Sequence, residues 1–240
     1  MLASWLVLVF AGVSIYFLLS GLSYLVVYVF GRRRFHPSYV ADHASDRRAM
    51  RLAVLGTLGN LTLMTPLQAL AAHGHSRVYW TVSEHGVVWM VISVLLYVAF
   101  VDTWIYWVHR TLHVDFLYRR LHRYHHQWQV PNSWTSMAFH PVDSFLFALP
   151  VHLFGFAVPL HGLLYLGMQI LMSLWSVSSH DRVAIAKWRW FNYADNHTLH
   201  HWFYRCNYGQ FFTFWDRLMG TWRNPVDEAR AGAVPAGVLR

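Results

Sequence analysis

The sequence predicts an all-α integral membrane protein with four to five membrane helices, including a short hairpin, and a cytoplasmic histidine-rich helical cap. Three observations predict it. The chain is 56% hydrophobic and 18% aromatic with only 12% charged residues, and its mean hydropathy is +0.29. Apolar runs close to the length that crosses a hydrocarbon core recur along it. Eight of its 17 histidines fall into three tight clusters.

The first apolar run, 5–30, exceeds the span minimum. It is too long for the core of a secretory signal, has no basic segment before it, and is followed by Gly31-Arg32-Arg33-Arg34 instead of a small-residue cleavage site, so it reads as an anchor. Runs 52–72 and 87–108 each approach the roughly 20 residues of a spanning helix. Runs 145–160 and 163–177 are shorter, broken by Pro150, Pro159 and the His161-Gly162 turn, and form a tight hairpin that spans or re-enters. Segments 109–142 and 178–225 make the cap. Its Trp128, Trp134, Trp188, Trp190, Trp202, Trp215 and Trp222 suit the headgroup level, which lays the cap half in the bilayer. Residues 1–225 form one membrane-embedded domain with its chemistry in about 101–225, and 226–240, rich in Ala and Gly, is a loose tail. A single cysteine, Cys206, excludes an internal disulfide framework and a thiolate-rich zinc site.

Charge sets the orientation. If segments 31–51, 109–142 and 178–240 face the cytoplasm, eighteen of the nineteen Lys and Arg residues lie inside, leaving only Arg77 outside. All three histidine clusters then lie at one membrane face. No nucleic-acid partner is expected.

The clusters are His109 and His113 as HxxxH, then His122, His125 and His126 as HxxHH, then His197, His200 and His201 as a second HxxHH. Residues three and four apart share a helix face, so each cluster is expected to present its imidazoles to one point. Neutral imidazole suits iron, zinc, copper or nickel, whereas calcium and magnesium want carboxylate cages. Eight clustered rings exceed six octahedral positions, and His180 adds a ninth in the last segment. Two metals holding about four or five nitrogens each, with open positions left over, follow. Zinc has no redox cycle and would support hydrolysis, for which no acid or base stands out; iron can activate oxygen toward an unactivated C–H bond. A pair of irons acting on an apolar substrate is the favoured reading.

Single residues extend the site. Asp102, Tyr106, His109 and His113 share one stripe, so Asp102 points inward, roughly 10 Å deeper than His109 and too far to share its ion. It is a candidate for outer support of the centre. Asp181 and Asp216 are candidates for orienting ligand imidazoles through the second ring nitrogen. His140, before Pro141, is either in the metal shell or bonded nearby. His152 and His161 in the hairpin read as structural, and His36, His43, His73, His75 and His85 as loop residues. Two rival classes use the same histidines. A metal transporter or sensor would place its site near the midplane on broken helices, and a bis-histidine haem protein would want isolated rings deep on facing spans.

The runs Asp102-Thr-Trp-Ile-Tyr-Trp-Val-His109-Arg-Thr-Leu-His113, Leu121-His-Arg-Tyr-His-His126, Ala138-Phe-His-Pro-Val-Asp143, Ser179-His-Asp181, His197-Thr-Leu-His-His201, Asn207-Tyr-Gly-Gln210 and Trp215-Asp-Arg217 together resemble the fatty acid hydroxylase and sterol desaturase superfamily. The wording is most like the sterol C5 desaturases (lathosterol oxidases), over about 101–225. The resemblance implies a multi-pass oxidoreductase with two non-haem Fe ions that uses O2. Its reducing equivalents would come from NAD(P)H through an acidic electron carrier such as cytochrome b5 or a ferredoxin. Its metal ligands would be the eight boxed histidines with His180 as ninth. The substrate would be a sterol or sterol-like lipid, desaturated or hydroxylated. Met137 stands where the sterol C5 desaturases carry a histidine, which keeps a fatty acid, carotenoid or other lipid as the alternative substrate. The compartment would be a bacterial inner membrane or the endoplasmic reticulum, with the histidine boxes on the cytoplasmic face.

Overall fold

In a computed structural model the chain is 70% helix with few strands. The structure describes residues 2–184, 187–235 and 237–239. Among the described residues, three helices are long and apolar enough to cross a membrane: Trp5–Phe30, Gly86–Leu112 and Gly162–His180. A fourth, Pro141–Ala157, is apolar but shorter.

Helix α1 (Leu2–Tyr24) continues through a wide π-helical turn to Phe30. Leu6, Val7, Phe10 and Leu18 are exposed on it, the surface an acyl chain would cover. Its inner stripe runs at helical spacing through Tyr16, Ser20 and Ser23. These side chains meet the turn at 133–136: Tyr16 Oη donates to the Trp134 carbonyl at 2.8 Å, and the Ser23 and Ser133 hydroxyls lie 2.8 Å apart. After the short basic helix α2 (Arg32–Phe35), α3 (His43–Leu70) starts at Asp42, whose carboxylate accepts from the Ala44 and Ser45 amides. The run expected at 52–72 therefore belongs to a longer helix. Thr57, Asn60, Thr62, Thr65 and Gln68 keep α3 out of the strongly apolar set. Its Gly56 and Gly59 face Phe139 and Pro141 so closely that a Cβ at either would collide, which lets α3 lie against the start of α6 (Pro141–Ala157).

Helix α4 (Gly86–Leu112) buries Tyr97, Val101, Ile105 and His109 along one face. The first three form the core with Val151, Phe154, Leu160 and Phe211. Pro150 inside α6 has no N–H for the carbonyl four residues back, and the Trp104 indole of α4 donates to that Leu146 oxygen at 3.1 Å. The expected hairpin is α6 and α7 (Gly162–His180), joined by the strand β2 (Leu160–His161), which pairs in parallel with β1 (Val78–Tyr79) at the end where Arg77 sits. His161 caps α7 at the Leu163 amide, and His152 meets the Tyr165 hydroxyl at 2.6 Å, both structural as expected.

The other end gathers the C-termini of α1, α4 and α7 with the N-termini of α3 and α6. Trp128 Nε1 donates to Ser45, Asn132 Nδ2 donates to Asp46, and the Ser23 hydroxyl donates to Asp181. His36 lies in the loop after α2 as expected, but is 1% exposed with its Nε2 bonded to the Asp181 carbonyl at 2.9 Å. His43, which opens α3, and His73 and His75, in the π-helical turn Ala71–His75, are corrections, since they are helical. Four short helices complete this end: α5 (Asp115–Arg120), α8 (Ala194–Phe203), α9 (Phe214–Leu218) and α10 (Pro225–Arg230). The tail also differs from expectation. Residues 225–230 are helical, and Val234 and Val238 are buried against Leu199, with Trp202 and Phe203 packed around them. The outer face of α8 is apolar, and two valines four residues apart cover it where composition alone suggested a loose end.

Candidate metal centre

All nine expected histidines converge at this end, in two groups: His109, His113, His122, His126 and His200, and His125, His180, His197 and His201. Within each group one ring nitrogen per residue lies within 4.8 Å of all the others. The groups touch; the rings of His126 and His201 are 4.6 Å apart. His109 ends the inner stripe of α4 and His113 caps that helix. The second box lies on a tight 3₁₀ turn at His122–Tyr124, His180 is the last residue of α7, and the third box lies inside α8. One expectation is corrected here. Neither HxxHH box aims at a single point, because each divides between the two groups. In both, the rings four apart (His122 with His126, His197 with His201) stay together, while His125 and His200 turn to the other group.

Hydrogen bonds fix the tautomers of five rings. The Nδ1–H of His109 donates to the Tyr208 carbonyl at 2.9 Å, that of His180 to Ser176 at 2.6 Å, that of His200 to Cys206 at 2.7 Å and that of His201 to Trp128 at 2.9 Å. His122 Nδ1–H donates to the Asp143 carboxylate at 2.8 Å. The Nε2 atoms of these rings are therefore bare lone pairs directed inward. In the group of four, Nε2 atoms lie 3.0 to 3.3 Å apart around His125, His180, His197 and His201. His180 and His201 have no proton to offer there, so two protons at most serve four contacts and the remaining lone pairs repel. In the group of five, the Nε2 atoms of His109, His113 and His122 are buried without a partner. A cation resolves both conditions. Imidazole nitrogens held at about 2.0–2.1 Å from one ion lie about 3.0 Å apart at a right angle and about 3.4 Å at the tetrahedral angle, the range seen here.

Burial lowers the pKa of His113, His125, His126, His197, His200 and His201 well below the ordinary histidine value, and neighbouring imidazoles lower it further. The rings are neutral at pH 7, the form that ligates metal. Beneath them, Phe147 lies 5.4 Å from His109, and Phe139 stacks on His125 at 4.1 Å, forming an apolar floor toward the helix core.

The family model for fatty acid hydroxylase matches residues 94–221, more than half of the chain. The chain belongs to the fatty acid hydroxylase family. It is 37% identical over 216 residues to lathosterol oxidase of Homo sapiens, covering 88% of this chain and 71% of that protein. It is 35% identical over 223 residues to a Delta(7)-sterol 5(6)-desaturase of Gibberella zeae, covering 91% and 68%. The corresponding values for the Delta(7)-sterol 5(6)-desaturase of Saccharomyces cerevisiae are 34% over 229 residues, 94% and 62%. No solved structure matches the chain. These relatives are oxidoreductases, and the paired histidine groups of this fatty acid hydroxylase family member are compatible with a di-iron site.

The remaining candidates act at one remove or not at all. Asp216 bonds no ligand ring. Its carboxylate accepts from the Tyr208 and Gly209 amides at 2.9 and 2.8 Å, pinning the loop whose Tyr208 carbonyl holds His109. Asp102 accepts from the Phe211 and Phe212 amides at 2.7 and 3.1 Å and secures the same loop from α4. Asp181 is a correction: its oxygens take the Val183 amide and the Ser23 hydroxyl, and no ligand ring reaches them. Burial raises its pKa to about 7. His140 takes the second of its two expected places, bonded nearby. It caps α6 through the Val142 amide and faces Tyr124, outside both groups. Asp143, whose carboxylate does touch a ligand ring, was not among the sequence candidates. The signal available was its place in the Ala138–Asp143 run, in the first turn of a helix that starts at a proline.

Proposed function

We propose that this membrane protein is a non-haem di-iron oxidase that uses O2 to desaturate, or hydroxylate, a sterol or sterol-like lipid. The observation that carries the reading is the pair of adjoining all-imidazole groups, five and four rings, at the end of an apolar helix bundle. Iron bound there would supply the redox chemistry that activates oxygen toward a C–H bond. The chain's own residues do the rest. Carbonyls of Trp128, Ser176, Cys206 and Tyr208, with the Asp143 carboxylate, hold the rings in the ligating tautomer, and Phe139 and Phe147 exclude water on the bilayer side. The names of the relatives favour a sterol and desaturation, and the apolar floor suits a lipid carbon.

The same proposal places the histidines on the cytoplasmic face. Its support is that the end carrying them also carries the basic segments, with Arg77 at the opposite end. Electrons from NAD(P)H would arrive there on an acidic carrier attracted by that charge. The test is a comparison of extracted lipids from cells with and without the gene, by mass spectrometry, with His125→Ala as control. A sterol lacking two hydrogens supports desaturation, and one gaining an oxygen supports hydroxylation. Unchanged lipids from cells containing iron-loaded protein would overturn the proposal.

A further inference from the structure

We propose that Arg182, with Arg34 and Lys187, forms a binding site for a phosphate group beside the metal centre. Arg182 follows the last turn of α7 and is only 6% exposed. Its backbone is left-handed (φ 59°), a conformation that side-chain-bearing residues rarely adopt, and it directs the guanidinium inward. A buried guanidinium is normally matched by a carboxylate. Among the described residues none lies within ion-pairing distance of this one. One terminal nitrogen donates to the Gly237 carbonyl at 3.5 Å, the side chain also interacts with the Tyr28 hydroxyl and lies 6.0 Å from that ring, and its Nε is buried without a partner. The adjacent Asp181 carboxylate accepts from the Val183 amide and the Ser23 hydroxyl and feels the guanidinium's charge only from beyond ion-pairing distance.

Arg182 lines a recess of about 170 Å³ with Arg34, Phe35, Val183, Ala184 and Lys187. Three cations and, among the described residues, no acid line it, with Lys187 reaching Asp195 outside the recess at 4.0 Å. The volume suits a phosphate group, and a planar guanidinium is built to bind one with two parallel hydrogen bonds. The recess opens beside Arg32, Arg33 and Arg34, at the end of the first apolar helix, where a phospholipid headgroup would lie. The Tyr28 hydroxyl and His36 both bond the Asp181 carbonyl, so an anion on Arg182 would lock α1 and α2 to the turn that follows His180.

The experiment uses the full-length protein in nanodiscs of phosphatidylcholine, alone, with added phosphatidic acid, or with inorganic phosphate. Tm and bound lipid, the latter by native mass spectrometry, are read in each. Phosphatidic acid should raise Tm and co-purify. A gain from inorganic phosphate alone would also support the site while assigning it to the free ion. Arg182→Gln should weaken the apparent affinity by about tenfold or more, the loss of charge-assisted bonds, and Arg182→Lys by less. Should Arg182→Gln fail to fold, the double variant Arg34→Gln/Lys187→Gln, which changes surface positions only, should still weaken it several-fold. No gain in any disc, or a gain that persists undiminished in these variants, would overturn the proposal.

Discussion

Replacing Asp143 should loosen metal in the group of five by an amount that depends on what replaces it. The carboxylate is fully buried, its Oδ2 takes the Nδ1–H of His122 at 2.8 Å, and its Oδ1 has no partner. An anion so placed makes sense only with net positive charge beyond the ring it holds. Asp143→Asn keeps an acceptor for that N–H but removes the charge, exchanging a charge-assisted bond of about 1.5–3 kcal/mol for a neutral one of about 0.5–1.5 kcal/mol. The difference, about 1–1.5 kcal/mol, is roughly tenfold in metal affinity. Asp143→Ala also strands a buried N–H, which brings the loss toward about a hundredfold, the upper end for carboxylates behind metal-bound histidines. Iron per chain, followed by mass spectrometry across a chelator titration, should rank wild type above Asn above Ala. An Ala variant whose chelator midpoint matches wild type would refute the assignment of His122 as a carboxylate-backed ligand.

The two groups should be separable: His200→Ala should deplete iron from the five and His197→Ala from the four, each abolishing lipid oxidation while the protein stays in the membrane. Elemental analysis of membrane fractions checks this. Asp216→Ala, which frees the loop behind His109, should lower metal affinity by about tenfold in the same chelator titration. The buried imidazoles bind protons more weakly folded than unfolded, so their contribution to stability is present above the unfolded value of about 6.5 and is lost as pH falls below it. Tm and iron retention should therefore both drop between pH 7 and pH 5, and flat curves would contradict neutral ligating rings. Turnover with a purified acidic carrier should weaken between low and high ionic strength while turnover with a small uncharged reductant does not.

The long apolar helices and the histidine boxes were legible in the sequence because both are local patterns, hydropathy over about twenty residues and rings within one turn. What the pattern obscured was how the rings divide. Adjacent histidines on an α-helix diverge by about 100°, so the His200-His201 pair on α8 straddles the two groups, and the His125-His126 pair at the end of its tighter turn does the same. Rings four apart on α8 return to within about 40° and stay together, as His197 with His201 do, and the turn at 122–126 keeps His122 with His126 as well. The two boxes divide in opposite senses, the second giving two rings to the five and the third giving two to the four, and only the approach of α8 to the 122–126 turn sets that sense. Asp143 was harder to see for the same reason. It meets His122 across 21 residues of chain, and nothing in its local sequence tells a helix-start aspartate from one aimed at a metal ligand. An HxxHH doublet thus reads as evidence for two ligand groups once neighbouring rings are seen to diverge, and the five-and-four division follows from the packing of two such doublets against the HxxxH of α4 and the last residue of α7.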